Sequence, residues 1–436
     1  MPDPARLRAA RRLVRIEADS AYLARLSASD PDDSERRAIA LVAGVTRWRR
    51  WLDWSVGRFL RQPVESLDAP LRQALRLGAF ELLVEEKPTH AAVGEAVGVA
   101  RTLLHKGAAG LANAVLRRLA TERDQGAIAE PTTGDLAEDL AIRFSHPTWM
   151  VARWLDRFGD TQTRELLRVH NEVPRYCLRA NTLRVSREKL MERLREVGAQ
   201  PEPSGWSPDL VTVRRLGLAL GMVAEGACAV QDEAAALVVS VLDPQPGEAL
   251  LDGAAAPGGK AIYAAERMEN EGRVAAVDVH LAKTDLIWRA AQAHGATIVE
   301  PVAADLRVWE AGQSFDRVLL DAPCSGTGVL AKRADLRWNR EADGLEELTT
   351  LQSELLQAAA SHVAPGGLLV YSTCSLEPEE NTQQVDAFLE SHSQFQREPV
   401  GDLVPESMRT ERGEYQALPH LHGTDGAFAS RLRRVT

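Results

Sequence analysis

From about residue 230 onward, short apolar runs alternate with amphipathic stretches, and this alternation constrains the fold more than any other feature. Strand-like runs lie at 248–252, 273–279, 298–304, 316–321 and 366–373, and helical periodicity fills 233–242, 260–268, 281–293, 346–363 and 378–391. Strand, helix, strand in repeated order implies right-handed crossovers and a parallel sheet. A last strand, Ala427 to Arg433, is expected to pair antiparallel at the edge. Open sheets of this kind bind ligands at the carboxyl ends of their strands, and this chain has its two most informative cysteines there. Cys324 follows Arg317-Val318-Leu319-Leu320-Asp321, and Cys374 follows Leu368-Leu369-Val370-Tyr371.

The region before the alternation reads differently. Residues 1 to about 125 show apolar residues three and four apart, as in Leu71-Arg72-Gln73-Ala74-Leu75-Arg76-Leu77, and read as all helix. Gly126, Pro131 and Gly134 mark a linker. Residues 140–228 look like a small mixed module, with a helix opened by His146-Pro147-Thr148-Trp149, a strand at Arg175–Asn181 and a helix at Arg187–Val197. The expected organisation is multidomain: all-α over 1–128, a small α+β subdomain over 138–228, and an α/β Rossmann-like domain over 229–436.

Other function classes recede. No apolar run approaches the roughly 20 residues needed to span a bilayer, and the Arg-rich first twenty residues lack a secretory apolar core. Four sparse cysteines do not make a disulfide framework, so Cys177 and Cys228 read as buried thiols and a cytoplasmic location is expected. Without a CxxC or Cys/His cluster, no metal is expected. His146 and His170 read as structural or polar surface residues. The net charge of −10 is uneven: residues 1–125 carry 21 Lys+Arg against 16 Asp+Glu, or +5, leaving −15 on the remainder. A basic N-terminal domain on an acidic body is compatible with local RNA contact, and equally with a solvated helical surface.

The first strand of the alternation ends in Leu251-Asp252-Gly253-Ala254-Ala255-Ala256-Pro257-Gly258-Gly259-Lys260. Small residues admit a ligand close to the backbone, and the next helix offers free N–H groups. Asp278, 26 residues after Asp252, ends the next strand, where a carboxylate accepts ribose hydroxyls. Asp305 ends the third and is placed to reach an adenine amino group. With no phosphate-clamping P-loop, S-adenosylmethionine is favoured over a dinucleotide.

The cysteine motifs sharpen this. Asp321-Ala322-Pro323-Cys324-Ser325-Gly326-Thr327-Gly328, Tyr371-Ser372-Thr373-Cys374-Ser375-Leu376-Glu377-Pro378-Glu379-Glu380-Asn381 and the turn Ala254–Lys260 resemble the RNA cytosine-C5 methyltransferases that use S-adenosylmethionine. Arg333-Ala334-Asp335-Leu336-Arg337-Trp338 resembles that family's substrate-side motif, and Asp425-Gly426-Ala427-Phe428 its terminal strand. The chain departs from the pattern at Ala254, where the family has Cys, and at Ala261, where it has Thr. The resemblance implies a mostly parallel seven-stranded sheet, with Ala254, Ala255, Ala256, Pro257, Gly258, Gly259, Lys260, Asp278, Asp305 and Asp321 around the cofactor. It implies Cys374 as nucleophile, Cys324 as the thiol that helps resolve the covalent adduct, and Asp321 on the N3/N4 edge of the base. The chemistry needs such a set. Cytosine C5 is a poor nucleophile until a thiolate adds at C6, and a thiol must lose its proton to attack.

Residues 38–120 resemble the helical domain of the antitermination factor NusB, in Gly44-Val45-Thr46-Arg47, Leu75-Arg76-Leu77-Gly78, Pro88-Thr89-His90-Ala91-Ala92-Val93-Gly94-Glu95-Ala96-Val97 and Asn113-Ala114-Val115-Leu116-Arg117-Arg118. Fused to the catalytic half, it implies the bacterial methyltransferase B family acting on small-subunit ribosomal RNA. The partner then expected is that RNA, naked or partly assembled, met by a monomer, with no DNA and no membrane. Arg47, Arg49, Arg50, Arg117 and Arg118 are candidate phosphate contacts. Trp48 and Trp51 are candidate base-stacking or core residues. Transfer RNA as substrate, and a non-catalytic ribosome assembly factor, are the competing readings.

Overall fold

The computed structural model describes residues 3–19 and 32–435, which fall into two compact units. The first, Met1–Glu172 with Leu330–Ala342, is helical: α1 (Pro4–Asp19), α2 (Asp33–Gly57), α3 (Ala69–Leu83), α4 (Thr89–Leu103), α5 (Lys106–Asp124), α6 (Leu136–Arg143) and α7 (Thr148–Asn171). Asp32 caps α2 by accepting from the Glu35 N–H, and Asp135 caps α6 in the same manner from Ala137. Leu41, Leu52, Leu75, Leu77 and Leu116 are fully buried between α2, α3 and α5. Gly78 is required there, because a Cβ would stand 2.4 Å from Leu116 and 2.9 Å from Ala96. Among the described residues no helix is long and apolar enough to cross a membrane.

The second unit, Val173–Val329 with Asp343–Thr436, contains two sheets. Its first part runs β1 (Tyr176–Ala180), α8 (Arg187–Glu196), β2 (Glu202–Pro203), β3 (Leu210–Val213), α9 (Leu220–Ala224) and β4 (Cys228–Val230), with sheet order β2-β3-β1-β4, antiparallel throughout. Then follow α10 (Glu233–Leu242), β5 (Ala249–Asp252), α11 (Gly259–Arg267), β6 (Arg273–Asp278), α12 (Leu281–His294), β7 (Val299–Ala303), β8 (Phe315–Asp321), α13 (Gly344–Ser361), β9 (Val363–Thr373), α14 (Thr382–Ser391), β10 (Phe395–Glu398), β11 (Tyr415–Ala417), α15 (Pro419–His422) and β12 (Ala427–Arg434). The large sheet has the order β10-β12-β9-β8-β5-β6-β7, with β11 also paired to β12. Strands β5 to β9 are mutually parallel, as the alternation predicts. The last strand is antiparallel to β9 but lies inside the sheet, because β10 closes the edge beyond it. Glu398 of β10 clamps there to Arg433 at 2.7 Å, a polar pairing that leaves no apolar run to read in sequence.

Arg179 ties the two sheets of this unit together. Its fully buried guanidinium bonds Glu266 of α11 at 2.8 and 3.0 Å, reaches the Gly259 carbonyl at 3.1 Å and lies 4.4 Å over the Tyr263 ring. Removing one partner of such a pair strands the other charge without water. Arg179→Met is expected to cost ~3–5 kcal/mol, read as a drop in the urea midpoint, whereas the double change Arg179→Met/Glu266→Leu regains most of the loss. A single variant as stable as the parent would sink this account.

Candidate active site

Parallel register sets the carboxyl ends of β5, β6, β8 and β9 side by side. Asp252 pairs in register with Leu319 and Ala276, and Asp321 with Ser372. After β5 the chain turns through Gly258 at φ 103°, a conformation suited to glycine, and enters α11 at Gly259. The Ala255 N–H is held by the Val277 carbonyl at 2.9 Å, pinning Ala254–Pro257 across the end of β6. Ala261 is fully buried in the apolar core.

Four charged groups converge from these ends. Asp252 is 1% exposed, and its Oδ1 has no hydrogen-bond donor. Burial, and then the charge of Asp321, push its pKa up to about 7. Lys260 places Nζ 2.5 Å from Asp321 Oδ2. Burial pulls the lysine pKa down, but Asp321 and Asp252 outweigh it, so the ammonium is held above its usual range. Ser372 donates to the other oxygen of Asp321 at 2.8 Å. Asp278, 8% exposed, closes β6 and accepts from the His280 N–H at 2.9 Å. Asp305 lies just beyond β7. Hydrogen bonds from Arg307 side chain and backbone lower its pKa, and Arg307 also reaches Glu354 at 2.7 Å.

The two cysteines meet beside this cluster, with Cys324 Sγ 3.3 Å from Cys374 Sγ. Neither is in a disulfide, and the separation is well beyond the roughly 2.05 Å of an S–S bond. The hydrogen bond to Cys374, then burial, raise the Cys324 pKa well above the ordinary thiol range, so Cys324 keeps its proton. Backbone contacts join the loops: the Gly328 N–H donates to the Cys374 carbonyl at 3.0 Å, and the Gly426 N–H to the Gly328 carbonyl at 2.8 Å. A Cβ on Gly328 would stand 2.7 Å from both Cys374 O and Gly426 Cα. This contact explains the glycine of Asp425-Gly426 at the start of the terminal strand.

Sequence reading named Cys324, Cys374, Asp321, Lys260, Asp278 and the turn 254–259, and all lie along these neighbouring strand ends. Asp305 is there too, with its carboxylate engaged by Arg307. Three residues went unnamed as site residues: Asp252, Ser372 and Glu380. A carboxylate ending the apolar run Ala249-Leu250-Leu251 was the available signal for Asp252. Ser372 and Glu380 lie inside the Cys374 motif, but nothing in the local pattern shows that Ser372 reaches Asp321 or that Glu380 reaches Ser325.

The helical unit alters the reading of its arginines. Leu330–Ala342, which follows the Cys324 loop in sequence, belongs to this unit. Arg337, fully buried, donates to the carbonyls of Arg47, Ser145 and His170 and to Asn171 Oδ1, at 3.0 to 3.2 Å. Arg47 donates to Ala331 O at 2.7 Å, Arg50 binds Glu138 at 2.6 Å, and the Arg49 guanidinium lies 5.1 Å from the Trp338 ring centre. These three arginines are half-buried and make contacts within the helical unit, while Arg117 and Arg118 are exposed on α5. Trp51 is buried and stacked 5.2 Å from Trp54, and Trp48 packs against the helical core that holds Leu41 and Leu52. His146 and His170 are both fully buried, with ring centres 5.5 Å apart.

Buried carboxylates at strand ends, one with an unpartnered oxygen, suit a ligand carrying positive charge and N–H or O–H donors. S-adenosylmethionine brings a sulfonium, amino groups and ribose hydroxyls, so the residues present fit it. Family models match the chain at three places: 16S rRNA methyltransferase RsmB/F over 239–433, NusB over 3–121 and a ferredoxin-like domain of RsmF/B-like methyltransferases over 146–216. The probable ribosomal RNA small subunit methyltransferase B of Bacillus subtilis is 33% identical over 97% of each chain. The ribosomal RNA small subunit methyltransferase B of Pseudomonas putida is 33% identical over 99% of this chain and 98% of that one. The solved structure of a methyltransferase homologue from Pyrococcus horikoshii is 28% identical, with a TM-score of 0.59, covering 70% of this chain and all of that one. The chain belongs to the 16S rRNA methyltransferase RsmB/F family, and its methyl donor is S-adenosylmethionine.

Proposed function

We propose that this protein methylates C5 of a cytosine in small-subunit ribosomal RNA through a covalent bond from Cys374 to C6. The observation that carries the reading is the 3.3 Å approach of two thiols beside the Lys260–Asp321 pair. Bound S-adenosylmethionine supplies an electrophilic methyl group. The turn Ala254–Gly259 would let the backbone approach that cofactor, Asp278 would accept its ribose hydroxyls, Asp252 would face its positive charge, and Asp305 would serve the adenine amino group. Asp321 hydrogen-bonds the N3/N4 edge of the base, takes up the proton that leaves the Cys374 thiol and passes it to N3 as the sulfur bonds to C6. C5 becomes enamine-like and takes the methyl group. Loss of the C5 proton to a base then expels the Cys374 thiolate with Cys324 assisting release, N3 returns its proton to Asp321, and S-adenosylhomocysteine is the other product. A base entering such a pocket must be unstacked, as in single-stranded or locally opened RNA. We place the reaction in the cytoplasm, on naked or partly assembled RNA, by a monomer whose NusB-like domain meets RNA through the exposed face bearing Arg117 and Arg118.

Transfer of labelled methyl from S-adenosylmethionine to unmodified small-subunit ribosomal RNA, with bisulfite mapping, tests this directly. A single 5-methylcytosine is expected. Transfer to transfer RNA alone would overturn the substrate. A methyl group on another atom would overturn the chemistry.

Asp252 makes the cofactor step dependent on pH. Its raised pKa means that the carboxyl is protonated below about 7 and ionised above. A cationic ligand favours the ionised form, so affinity should rise with pH towards neutrality, by at most about tenfold per unit, and then level. Calorimetric titration with S-adenosylmethionine across this range should show the rise in the parent protein. Asp252→Asn should leave only the ligand's own titration. Identical profiles in the two proteins would remove Asp252 from the cofactor site.

A further inference from the structure

Glu380 is fully buried, as are Ser325, Gln352 and Tyr371, and Ser375 is 1% exposed. Its Oε1 accepts from the Ser325 N–H at 2.7 Å and from Gln352 Nε2 at 2.9 Å. Its Oε2 accepts from the hydroxyls of Ser325 and Ser375, which are 3.0 Å from each other. Its backbone carbonyl accepts from the Tyr371 hydroxyl at 2.7 Å, and Gln352 also holds the Pro323 carbonyl at 2.9 Å. Ser325 directly follows Cys324, and Ser375 directly follows Cys374. One carboxylate thus holds matching positions in both cysteine loops. Among the described residues no lysine or arginine pairs with it. Burying a carboxylate without a counter-ion is costly, and here only hydrogen bonds offset that cost.

We propose that Glu380 is a positioning residue that sets the spacing of the two thiols by binding both loops at once. This rests on the cysteine mechanism above and deepens it. Every group facing the carboxylate oxygens donates to it, so an amide must turn its N–H₂ either toward the Ser325 N–H and the Gln352 amide, or toward the two serine hydroxyls, which then give up donating to it and must accept. Glu380→Gln keeps the volume and disturbs the hydrogen bonds. Ser325→Ala/Ser375→Ala leaves the glutamate in place and removes the two hydroxyl donors. Both should displace the thiols by a fraction of an ångström to about 1 Å, a scale at which misplacement costs ~10²-fold in rate.

The test compares both variants with the parent, each alone and in a Cys324→Ala background, where the RNA-linked adduct accumulates. S-adenosylmethionine binding is titrated to count folded sites. Expected is a fall of ~10²-fold in kcat per folded site, with KM for the cofactor changed less than about threefold. The adduct should form correspondingly more slowly in the Cys324→Ala background. Glu380→Asp, which keeps the carboxylate, should recover part of the rate. A purely structural role would lower the number of folded sites and leave kcat per site unchanged, and that result would overturn the proposal. If Glu380→Gln does not fold, the double serine variant decides by the same criteria. An absent adduct in Cys324→Ala with Glu380 intact would overturn the cysteine mechanism, and this inference with it. An adduct formed at the same rate with and without the Glu380 change would overturn the inference alone.

Discussion

Cys374→Ala is expected to abolish methyl transfer, a loss on the order of 10⁵ or more, because no other group can form the bond to C6 and removing a covalent nucleophile has effects of that scale. Cys324 does not substitute for it. In this variant the hydrogen bond to Cys374 that raises its pKa most is gone, but burial still holds the thiol up, and it supplies little thiolate. Cofactor binding should survive, because the strand ends holding Asp252, Asp278 and Lys260 are untouched. Cys324→Ala should behave in the opposite sense. The attack by Cys374 is retained and release is slowed, so RNA accumulates in a protein-linked band resistant to denaturing electrophoresis. Two observations would refute the assignment: a linked band in the Cys374→Ala protein, or normal turnover by it.

Asp321→Asn is the second large effect. The carboxylate receives Lys260 at 2.5 Å and Ser372 at 2.8 Å. The amide keeps the size of the side chain but cannot carry a proton to N3, and proton transfer by a positioned carboxyl contributes ~10²–10⁴ in rate. The change also strips Lys260 of its ion pair. Burial then acts on the lysine with only Asp252 and Cys374 opposing it, so its pKa should fall. We expect kcat to drop by ~10²–10⁴, with adduct formation slowed equally in the Cys324→Ala background. Single-turnover measurement with enzyme in excess over RNA and S-adenosylmethionine saturating separates this from a cofactor defect. A kcat within about threefold of the parent would exclude Asp321 from proton transfer.

Much of this architecture was legible locally. The period of two and the period of 3.6 are properties of short segments, so the parallel strands β5 to β9 and the helices between them followed from Leu, Val and Ala spacing. Gly258 and Gly259 before Lys260 marked a strand–turn–helix, and cysteines after two apolar runs marked the strand ends. Sheet closure was less legible. Phe395–Glu398 is a short, polar edge strand held by Glu398 pairing with Arg431 and Arg433, and nothing in four such residues separates it from a loop.

What the sequence by itself determined was the inventory of chemistry and its placement at strand ends: two thiols, Asp321, Lys260 and Asp278. What only the tertiary structure decided was how those groups act on one another. Asp252 acquires a pKa near 7 because β5 lies between β6 and β8, which buries it near Asp321 with water excluded. Arg47 and Arg50 read as RNA contacts, but Arg47 also donates to the Ala331 carbonyl, and Arg50 to the His146 carbonyl, Thr148 and Glu138. Cys324 and Cys374, 50 residues apart, come within 3.3 Å because β8 and β9 are in parallel register, and Glu380 joins the residues that follow them. Burial and hydrogen-bond convergence depend on which distant segments meet, a property no short stretch of sequence carries.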